Sequence, residues 1–544
     1  MQPLEIWGGL ECSVVRIGTS VRSQLHDTGH YDRPEDMELL ERLGLRTVRY
    51  PVIWEMIERS PGRYDWRWSD ERLSSLRRAG IAPIATLLHH GSGPDWTSLL
   101  DPEFPLKLAR FAEQVACRYP WVDAYTPVNE PFTTARFCGL YGHWHPHATD
   151  EAVCFRITVN ECRAISLSMQ AIRRINPAAK LILTEDFGRV SATAPLREQA
   201  SYENERRWLA TDLLTGRVNE DHPFHARLIA AGVLQSDLAE LVSKPCPPDV
   251  IGLDYYLTSD RALDHRIGLH PNESVGGNGR QCYVDIASVR SDLIQTRAGL
   301  AQRLLEIWER YRIPLAVTEL HNGSSRDEQL RWLMEGWKEA EVARSAGADV
   351  RAVTAWSLFG AWDWNSLLIG REGHYECGAF DARVTPPRPT IVAAALAALA
   401  TSGSFDHPVL DGAGWWHAEE TQHPHARALA LEGNDPGLAT LAMCCHARRL
   451  KTVHVSPVVA KSSFLTGKVW AFVSTQGANE HADGLTCRFP DGRTMECPPA
   501  ALETMENANS FLDQIIDASV LLPATVLPAE HLGENAARSR MYAA

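Results

Sequence analysis

The sequence predicts an α/β chain in which a (β/α)8 TIM barrel is followed by a smaller α/β unit, on three observations. The chain has 544 residues, more than the roughly 250–300 residues at which a single hydrophobic core stops growing. Short apolar runs alternate with amphipathic stretches over about the first 400 residues, which is typical of repeated strand–helix units around a parallel sheet. After Ser402 this alternation is lost, which indicates the end of the first domain.

Eight apolar runs are the predicted barrel strands. They are Leu4–Gly9, Arg46–Ile53, Ile81–Leu88, Val122–Val128, Lys180–Thr184, Val250–Tyr255, Leu315–Thr318 and Val350–Ser357. The eighth helix is predicted over Pro389–Ala400. Eight units in ~400 residues fit a barrel with insertions better than an open sheet, so residues 1–403 are predicted to form the first domain.

A second, smaller α/β domain is predicted over residues 426–544, after a linker at residues 404–425 that contains two adjacent tryptophans. Its predicted elements are the strand Ala426–Leu431, the helix Leu438–Arg449, the strands Thr452–Val455 and Val469–Ser474, and the helix Ala500–Ala518. The last ~25 residues carry no such pattern and are expected to be frayed.

Composition argues against several classes of function. A formal net charge of −14 and the lack of any basic run disfavour nucleic-acid binding, which needs a positive surface. The most apolar stretch, Ile391–Ala400, is too short to span a membrane, and the first residues lack the pattern of a signal peptide. Twelve scattered cysteines without C-x-x-C pairs are typical of a reducing compartment. We expect a cytoplasmic protein without nucleic-acid or membrane partners, and leave open whether it forms a homo-oligomer.

Two glutamates stand where a barrel enzyme carries its chemistry, at the carboxyl ends of strands. The predicted fourth strand runs into T-P-V-N-E-P, which contains Glu130, and the seventh into A-V-T-E-L-H-N-G, which contains Glu319. A glycosidase needs one carboxylic acid to protonate the leaving oxygen and one carboxylate at the anomeric carbon. A glutamate at each of these strand ends, with Asn129 directly before the first, therefore predicts a glycosidase site.

The same segments resemble the family 1 glycoside hydrolases over almost the whole predicted barrel. The matching segments are I-W-G-G from Ile6, V-R-Y-P-V-I-W from Val48, Leu88-His89, T-P-V-N-E-P from Thr126, I-G-L-D-Y-Y from Ile251, V-T-E-L-H-N-G from Val317 and W-S-L-F-G-A-W-D-W from Trp356. The resemblance implies hydrolysis of a small-molecule or oligosaccharide β-glycoside with retention of configuration, through a covalent glycosyl-enzyme.

The resemblance also implies a role for each matching residue. Glu130 would be the acid/base and Glu319 the nucleophile, and their supporting residues would be Arg49 beside the nucleophile, His89 and Asn129 on sugar hydroxyls, Tyr256 bonded to the nucleophile, Trp356 under the sugar, and Asp254 and Asp363 in place of the family's Asn and Glu. Neither a cofactor nor a metal is implied. The alternation of His143, His145 and His147 is weak evidence for zinc, because no carboxylate cluster accompanies it.

Departures from the family pattern leave two other functions open. The strand-one glutamine that usually holds two sugar hydroxyls is missing, with Glu11 as a candidate substitute. Two residues are inserted after Glu319, and a displaced carboxylate there would leave a non-catalytic sugar-binding or scaffold protein. The second alternative is a bifunctional sugar-nucleotide enzyme, which would use the C-terminal domain.

The C-terminal domain is faintly similar to the dTDP-4-dehydrorhamnose reductases, which in some bacterial proteins are fused to such a barrel. The similarity lies in Trp470–Ala482, W-A-F-V-S-T-Q-G-A-N-E-H-A. The domain lacks the G-x-G-x-x-G of a dinucleotide site, with Asp435-Pro436 at the critical turn, and no Y-x-x-x-K follows. We therefore expect a degenerate nucleotide-binding remnant without reductase activity.

Overall fold

The structure is a computed structural model, and it describes residues 2–292, 299–417, 425–433, 435–455, 467–474, 485–497 and 502–522. Eight parallel strands close into a barrel in chain order, which confirms the predicted fold. They are β1 (Glu5–Gly9), β2 (Thr47–Pro51), β3 (Ala82–Thr86), β4 (Ala124–Thr126), β5 (Lys180–Glu185), β6 (Val250–Tyr255), β7 (Leu315–Leu320) and β8 (Val350–Ala355). The last strand pairs with the first, Trp7 opposite Thr354, so the sheet has no free edge.

Helices surround the barrel and fill the connections between its strands. They are Gln24–Asp27, Asp36–Arg42, Trp54–Ile57, Arg67–Arg78, Phe104–Arg118, Pro131–Ala135, Glu151–Ile175, Arg197–Arg206, Leu209–Leu214, His225–Ala230, Gln235–Ser243, Leu300–Tyr311, Arg326–Ser345 and Ile391–Ser402. The helix Ile391–Ser402 shows how the sequence determines where a helix begins and ends. The Thr390 hydroxyl accepts the Val392 N–H at its start, and Gly403, at φ +70°, takes the left-handed conformation that ends a helix without strain.

Short strands outside the barrel build the loops at its rim. A hairpin joins Val14–Ile17 to Ser20–Ser23, and a four-stranded sheet combines Val190–Ala192, Arg261–Asp264, Val275–Gly277 and Cys282–Ala287. Two-stranded ribbons pair Ala361–Trp362 with Tyr375–Glu376 and Phe380–Asp381 with Arg388–Pro389. These elements were not predicted, because most of their sequences form no continuous apolar run and only pairing with another segment identifies them.

The C-terminal part forms a mixed five-stranded sheet. Its strands are β9 (Ala428–Glu432), β10 (Thr452–His454), β11 (Val469–Ser474), β12 (Leu485–Arg488) and β13 (Thr494–Cys497), in the order β10-β9-β11-β12-β13. The first three are parallel, with the helix Pro436–Ala447 between β9 and β10, whereas β12 and β13 are antiparallel. The helix Met505–Ala518 follows, and it begins five residues later than predicted.

Buried ion pairs attach the C-terminal part to the barrel helix Arg326–Ser345. Arg448 donates to Asp327 (2.5 Å) and to Asp513 (2.5 Å), and Arg326 donates to Asp517 (3.0 Å). In the predicted linker, residues 418–424 lie outside the described residues, and Trp416 packs edge-on against Trp332 of the barrel helix. The linker is therefore held against the barrel where the structure describes it.

Some predictions lie partly outside the described residues, namely residues 475–482 of the reductase-like segment and the chain end from residue 523. Within the described ranges, no helix combines the length and the apolar character that crossing a bilayer requires.

Candidate active site

The carboxyl ends of β4 and β7 carry the two predicted catalytic glutamates. Glu319 is the last but one residue of β7, where a register shift against β6 places it opposite Asp254. Glu130 lies between β4 and the short helix Pro131–Ala135, and takes the left-handed conformation at φ +45°. Both side chains are buried, with 5% of Glu130 and 2% of Glu319 exposed. A left-handed residue without glycine's freedom is strained, and such strain is concentrated at functional sites.

The Glu319 carboxylate is held by two donors. Arg49 Nη1 donates to its Oε1 (2.9 Å), and the Tyr256 hydroxyl donates to its Oε2. Arg49 also donates to the Thr318 carbonyl (2.8 Å), which fixes the guanidinium beside the strand end. Both donors stabilise the ionised carboxylate, which is the form a nucleophile needs. The residues inserted after Glu319 therefore do not move its carboxylate away from Arg49.

Asn129 links the two strand ends. Its Oδ1 accepts from Arg49 Nη2 (2.5 Å) and from Thr184 Oγ1 (2.8 Å). Because an arginine only donates, this contact identifies Oδ1 and leaves the amide Nδ2 facing the rings of His89 and His90, each at 3.5 Å. Asn129 thus places an N–H donor beside the two histidines.

Trp356 forms an aromatic wall on the other side of Arg49. The guanidinium carbon lies 4.7 Å from the centre of the Trp356 ring, and the ring of His89 stacks on Trp356 at 5.5 Å. His89 Nε2 is 3.6 Å from Glu11 Oε1, and that oxygen accepts from the N–H (2.9 Å) and hydroxyl (2.6 Å) of Ser13. Glu11 therefore belongs to the same cluster as His89 and Trp356.

Burial and mutual repulsion raise the pKa of most carboxyl groups in this cluster. The pKa of Glu130 lies well above its ordinary value, first because of burial and then because of the negative charges of Asp254 and Glu319. Burial and the charge of Glu319 likewise raise the pKa of Asp254. Burial raises the pKa of Glu11 to about 7. The site therefore contains one carboxylate, Glu319, that accepts from two donors, and a neighbouring carboxyl group, Glu130, whose protonated form is favoured.

Glu185, at the end of β5, positions the segment that carries Glu130. Its carboxylate accepts the N–H groups of Phe132 (2.7 Å) and Thr133 (3.1 Å) and the Thr133 hydroxyl (2.8 Å). The first N–H groups of a helix have no partner within the helix, so a buried carboxylate there fixes the helix start. Glu185 thereby holds the turn on which Glu130 stands.

The sequence pattern of glycosyl hydrolase family 1 matches residues 21–375. The chain belongs to glycosyl hydrolase family 1. β-Glucosidase A of Thermotoga maritima is 23% identical over 389 residues, which span 62% of this chain and 80% of that protein. β-Glucosidase 47 of Arabidopsis thaliana is 25% identical over 409 residues, 66% of this chain and 73% of that protein. The solved structure of a family 1 β-glucosidase from Thermotoga maritima aligns with 75% of this chain and 99% of its own, with a TM-score of 0.58 and 16% identity, which shows a shared barrel fold.

Asp363, another family 1 position predicted from sequence, forms its hydrogen bonds with residues other than the two glutamates and their partners. Its Oδ2 accepts from Arg22 (2.9 Å), and its Oδ1 accepts the N–H groups of Glu372 (3.1 Å) and His374 (3.0 Å). These bonds fix the loop after β8. The predicted contact of Asp363 with a sugar hydroxyl therefore rests on the family 1 resemblance alone.

Asp254, the residue that replaces a family 1 asparagine, is fully buried beside the nucleophile. Its Oδ1 accepts from Thr318 Oγ1 (2.6 Å), while Oδ2 has no hydrogen-bond partner. An ionised buried carboxylate without a partner for one oxygen is costly, and burial together with the charge of Glu319 raises the pKa of Asp254, which favours its protonated form.

His90 is the member of the cluster that the sequence did not single out. Its Nε2 lies 3.3 Å from Glu130 Oε2. No local sequence pattern indicates that His90 rather than His89 lies beside Glu130, because the left-handed turn at His90 (φ +55°) depends on the fold. The histidines of the loop 143–147 are engaged differently, since His147 accepts the Gly18 N–H (3.0 Å) through Nε2.

Proposed function

We propose that this family 1 chain is a retaining β-glycosidase, with Glu319 as nucleophile and Glu130 as acid/base. The observation that carries the proposal is the opposite environment of the two carboxyl groups. Glu319 accepts from Arg49 and Tyr256, which favour its anion, whereas burial and two negative neighbours raise the pKa of Glu130. A retaining glycosidase needs one ionised carboxyl group to attack and one protonated carboxyl group to donate, and these two environments favour that division.

In the first step Glu130 donates its proton to the glycosidic oxygen while a Glu319 oxygen attacks the anomeric carbon. The carbon–oxygen bond to the leaving group breaks, and an ester bond forms between the sugar and Glu319. Arg49 and Tyr256 hold the attacking carboxylate in one orientation. The Nδ2 group of Asn129, the residue before Glu130, is the proposed donor to the 2-hydroxyl of the sugar, as the family 1 resemblance implies.

In the second step Glu130 acts as a base. The esterified Glu319 is neutral, so its contribution to the raised pKa of Glu130 disappears and the pKa of Glu130 falls, which favours its action as a base. Glu130 then removes a proton from water, the water oxygen attacks the anomeric carbon, and the ester bond to Glu319 breaks. One residue thus serves as acid and then as base because its neighbour changes charge.

The substrate is proposed to be a small β-linked glycoside. The supporting observations are the names of the relatives, both β-glucosidases, and the solved Thermotoga maritima β-glucosidase in complex with deoxynojirimycin. A panel of 4-nitrophenyl β-glycosides with different sugars identifies the preferred one.

A covalent label tests the proposal. A 2-fluoro β-glucoside with a dinitrophenyl leaving group is expected to add the mass of one fluorosugar to the peptide that contains Glu319. Glu319→Gln should lose both labelling and turnover, and Glu130→Gln should lose the hydrolysis of poor leaving groups. Glu309→Gln is the matched control, because this exposed glutamate lies on the helix before β7. Labelling of another residue, or turnover by Glu319→Gln, would exclude the proposed nucleophile.

For the C-terminal part we retain the domain limits 1–403, 404–425 and 426–544, and the interpretation of a degenerate nucleotide-binding remnant. The parallel order β10-β9-β11 with one intervening helix supports it, as does Asp435, whose side chain accepts the Gly437 N–H (2.7 Å) at the turn where a phosphate would bind. The full chain is expected to show no saturable binding of NADPH or NADH in a fluorescence titration. Micromolar binding would instead favour the bifunctional enzyme.

A further inference from the structure

His90 touches the acid/base through one ring nitrogen and a neighbouring hydroxyl through the other. Its Nε2 lies 3.3 Å from Glu130 Oε2, and its Nδ1 lies 2.9 Å from Thr134 Oγ1. The ring is 4% exposed and packs against Trp144 and Trp364, with ring centres 5.2 and 5.7 Å away. Because both nitrogens have a defined partner, the hydrogen bonds determine which of them carries the proton.

The Thr134 hydroxyl assigns a proton to Nδ1. This hydroxyl has one hydrogen, and it contacts both the carbonyl oxygen of Asn129 (3.3 Å) and His90 Nδ1. A carbonyl oxygen only accepts, so both contacts can be hydrogen bonds only if the hydroxyl hydrogen points to Asn129. The second contact is a hydrogen bond only if Nδ1–H donates to the Thr134 oxygen.

The Asn129 amide gives the same assignment independently. Arg49 and Thr184 donate to Oδ1, so the group at 3.5 Å from His90 Nε2 is the Nδ2 amide, which only donates. Burial, together with the charge of Arg49, also lowers the pKa of His90 to about 3, so the ring is neutral. A neutral ring with its proton on Nδ1 presents a lone pair at Nε2.

Glu130 Oε2 lies 3.3 Å from that nitrogen, beside the Asn129 amide at 3.5 Å, so the two groups share the lone pair when Glu130 is protonated. An ionised carboxylate oxygen 3.3 Å away would set two acceptors against each other, whereas a proton on Oε2 turns the contact into a hydrogen bond. We propose that His90 is a positioning residue that accepts a hydrogen bond from protonated Glu130 and holds the acid form of the free enzyme. The proton stays on Glu130 until the leaving oxygen takes it. This inference rests on the proposed function, because it assigns a role within the same acid/base step.

Other charged groups around Glu130 act in the same direction without selecting one oxygen. The negative neighbours are Asp254 on β6, Glu319 on β7, Glu185 at the end of β5 and Asp186 after it. Arg136 on the following helix turn and the Tyr256 hydroxyl also lie within electrostatic range, and Arg49 faces His90. These charges are common to every variant below, so a change at His90 or Thr134 isolates the hydrogen bond.

The test compares variants that remove the acceptor with variants that keep it. His90→Met fills a similar volume without a comparable acceptor, and His90→Gln keeps a carbonyl oxygen. Thr134→Val removes the partner of Nδ1–H with little change in shape, and Thr134→Ser keeps it. For each, kcat/KM is measured from pH 4 to 9 with methyl β-glucoside, which needs protonation of its leaving group, and with 2,4-dinitrophenyl β-glucoside, which does not.

The basic limb of the kcat/KM profile reports the ionisation of Glu130 in the free enzyme. His90→Met is expected to move this limb down by about one pH unit, and thereby to lower kcat/KM for methyl β-glucoside by about tenfold at pH values above the limb. Turnover of the dinitrophenyl glycoside should stay within about twofold. Thr134→Val should move the limb in the same direction by less, and His90→Gln and Thr134→Ser should stay near the wild type.

An unmoved basic limb in both His90→Met and Thr134→Val would overturn the inference, as would an equal loss on both substrates, which a purely structural role predicts. If His90→Met does not fold, as judged by its circular dichroism melting curve, Thr134→Val decides alone. Failure of the proposed function is distinguishable, because the wild type would then neither hydrolyse the dinitrophenyl glycoside nor become labelled at Glu319.

Discussion

Replacing Glu11 by glutamine is expected to change how the stability of the protein depends on pH. Glu11 is 4% exposed, and its Oε1 accepts from the N–H and the hydroxyl of Ser13. Burial is the largest cause of its raised pKa, the charge of Glu319 adds to it, and the bonds from Ser13 partly offset it. A glutamine keeps an oxygen for Ser13 and carries no charge at any pH.

The size of the effect follows from the shift. The pKa of Glu11 rises from 4.5 to about 7 on folding, so between these values the folded state binds a proton that the unfolded state has released. Stability therefore falls as pH rises through this window, the reverse of the usual behaviour of a salt-bridged carboxylate. At ~1.4 kcal/mol per pKa unit, ionised Glu11 destabilises the wild type by about 3 kcal/mol above pH 7.

Urea unfolding at pH 4.5, 6 and 8 measures this difference. The free energies of unfolding of the wild type and Glu11→Gln should be similar at pH 4.5, and the variant should be more stable by about 3 kcal/mol at pH 8. Carboxyl groups elsewhere titrate in both proteins and cancel in the comparison. Glu309→Gln, an exposed site, serves as control and should leave the curve unchanged. Parallel pH dependences for the wild type and Glu11→Gln would refute the reasoning.

Three further substitutions test the rest of the site and its attachment to the C-terminal part. Arg49→Met leaves Glu319 buried without its cation, so the free energy of unfolding at pH 7 should fall by about 3–5 kcal/mol in urea titrations, with exposed Arg63→Met as control. Tyr256→Phe removes a donor to the nucleophile and should lower kcat by about 100-fold with a smaller change in KM, measured with 4-nitrophenyl β-glucoside; unchanged kcat would contradict this role. Asp327→Asn weakens the contact of Arg448 with the barrel and should expose residues beyond 404 to limited proteolysis, at a protease concentration that spares the wild type.

Most of the barrel follows from local patterns in the sequence. Strands buried on both faces appear as continuous apolar runs, and Val250–Tyr255 was predicted with the bounds that the structure gives it. The fourth strand is shorter than predicted, at Ala124–Thr126, because Pro127 has no N–H to continue the ladder. The glutamates at the ends of the fourth and seventh strands were placed by the same patterns, since a strand end fixes the rim position of the next residues.

The partners of the side chains could not be predicted from such patterns. Asp363 bonds to Arg22, which lies 341 positions away in the chain, and no local signal connects the two. Glu185 and His90 gain their roles from the turn around Glu130, whose conformation depends on residues of neighbouring strands. The antiparallel hairpin of β12 and β13 was missed for a related reason, since its strands, L-T-C-R and T-M-E-C, form no apolar run and only pairing identifies them.

The charge balance of the cluster explains why its members behave differently although they are all carboxylic acids. Arg49 is a single buried cation, and Glu319 is the carboxylate bonded to it. Each further negative charge among Glu11, Glu130 and Asp254 would be buried without such a partner, so burial and repulsion raise their pKa values instead. One anion beside neutral acids is the state in which one carboxyl can attack and another can donate a proton. Because the same balance penalises any additional anion, we expect the proposed site to favour a neutral or cationic glycoside over one that carries a carboxylate or phosphate on its sugar ring.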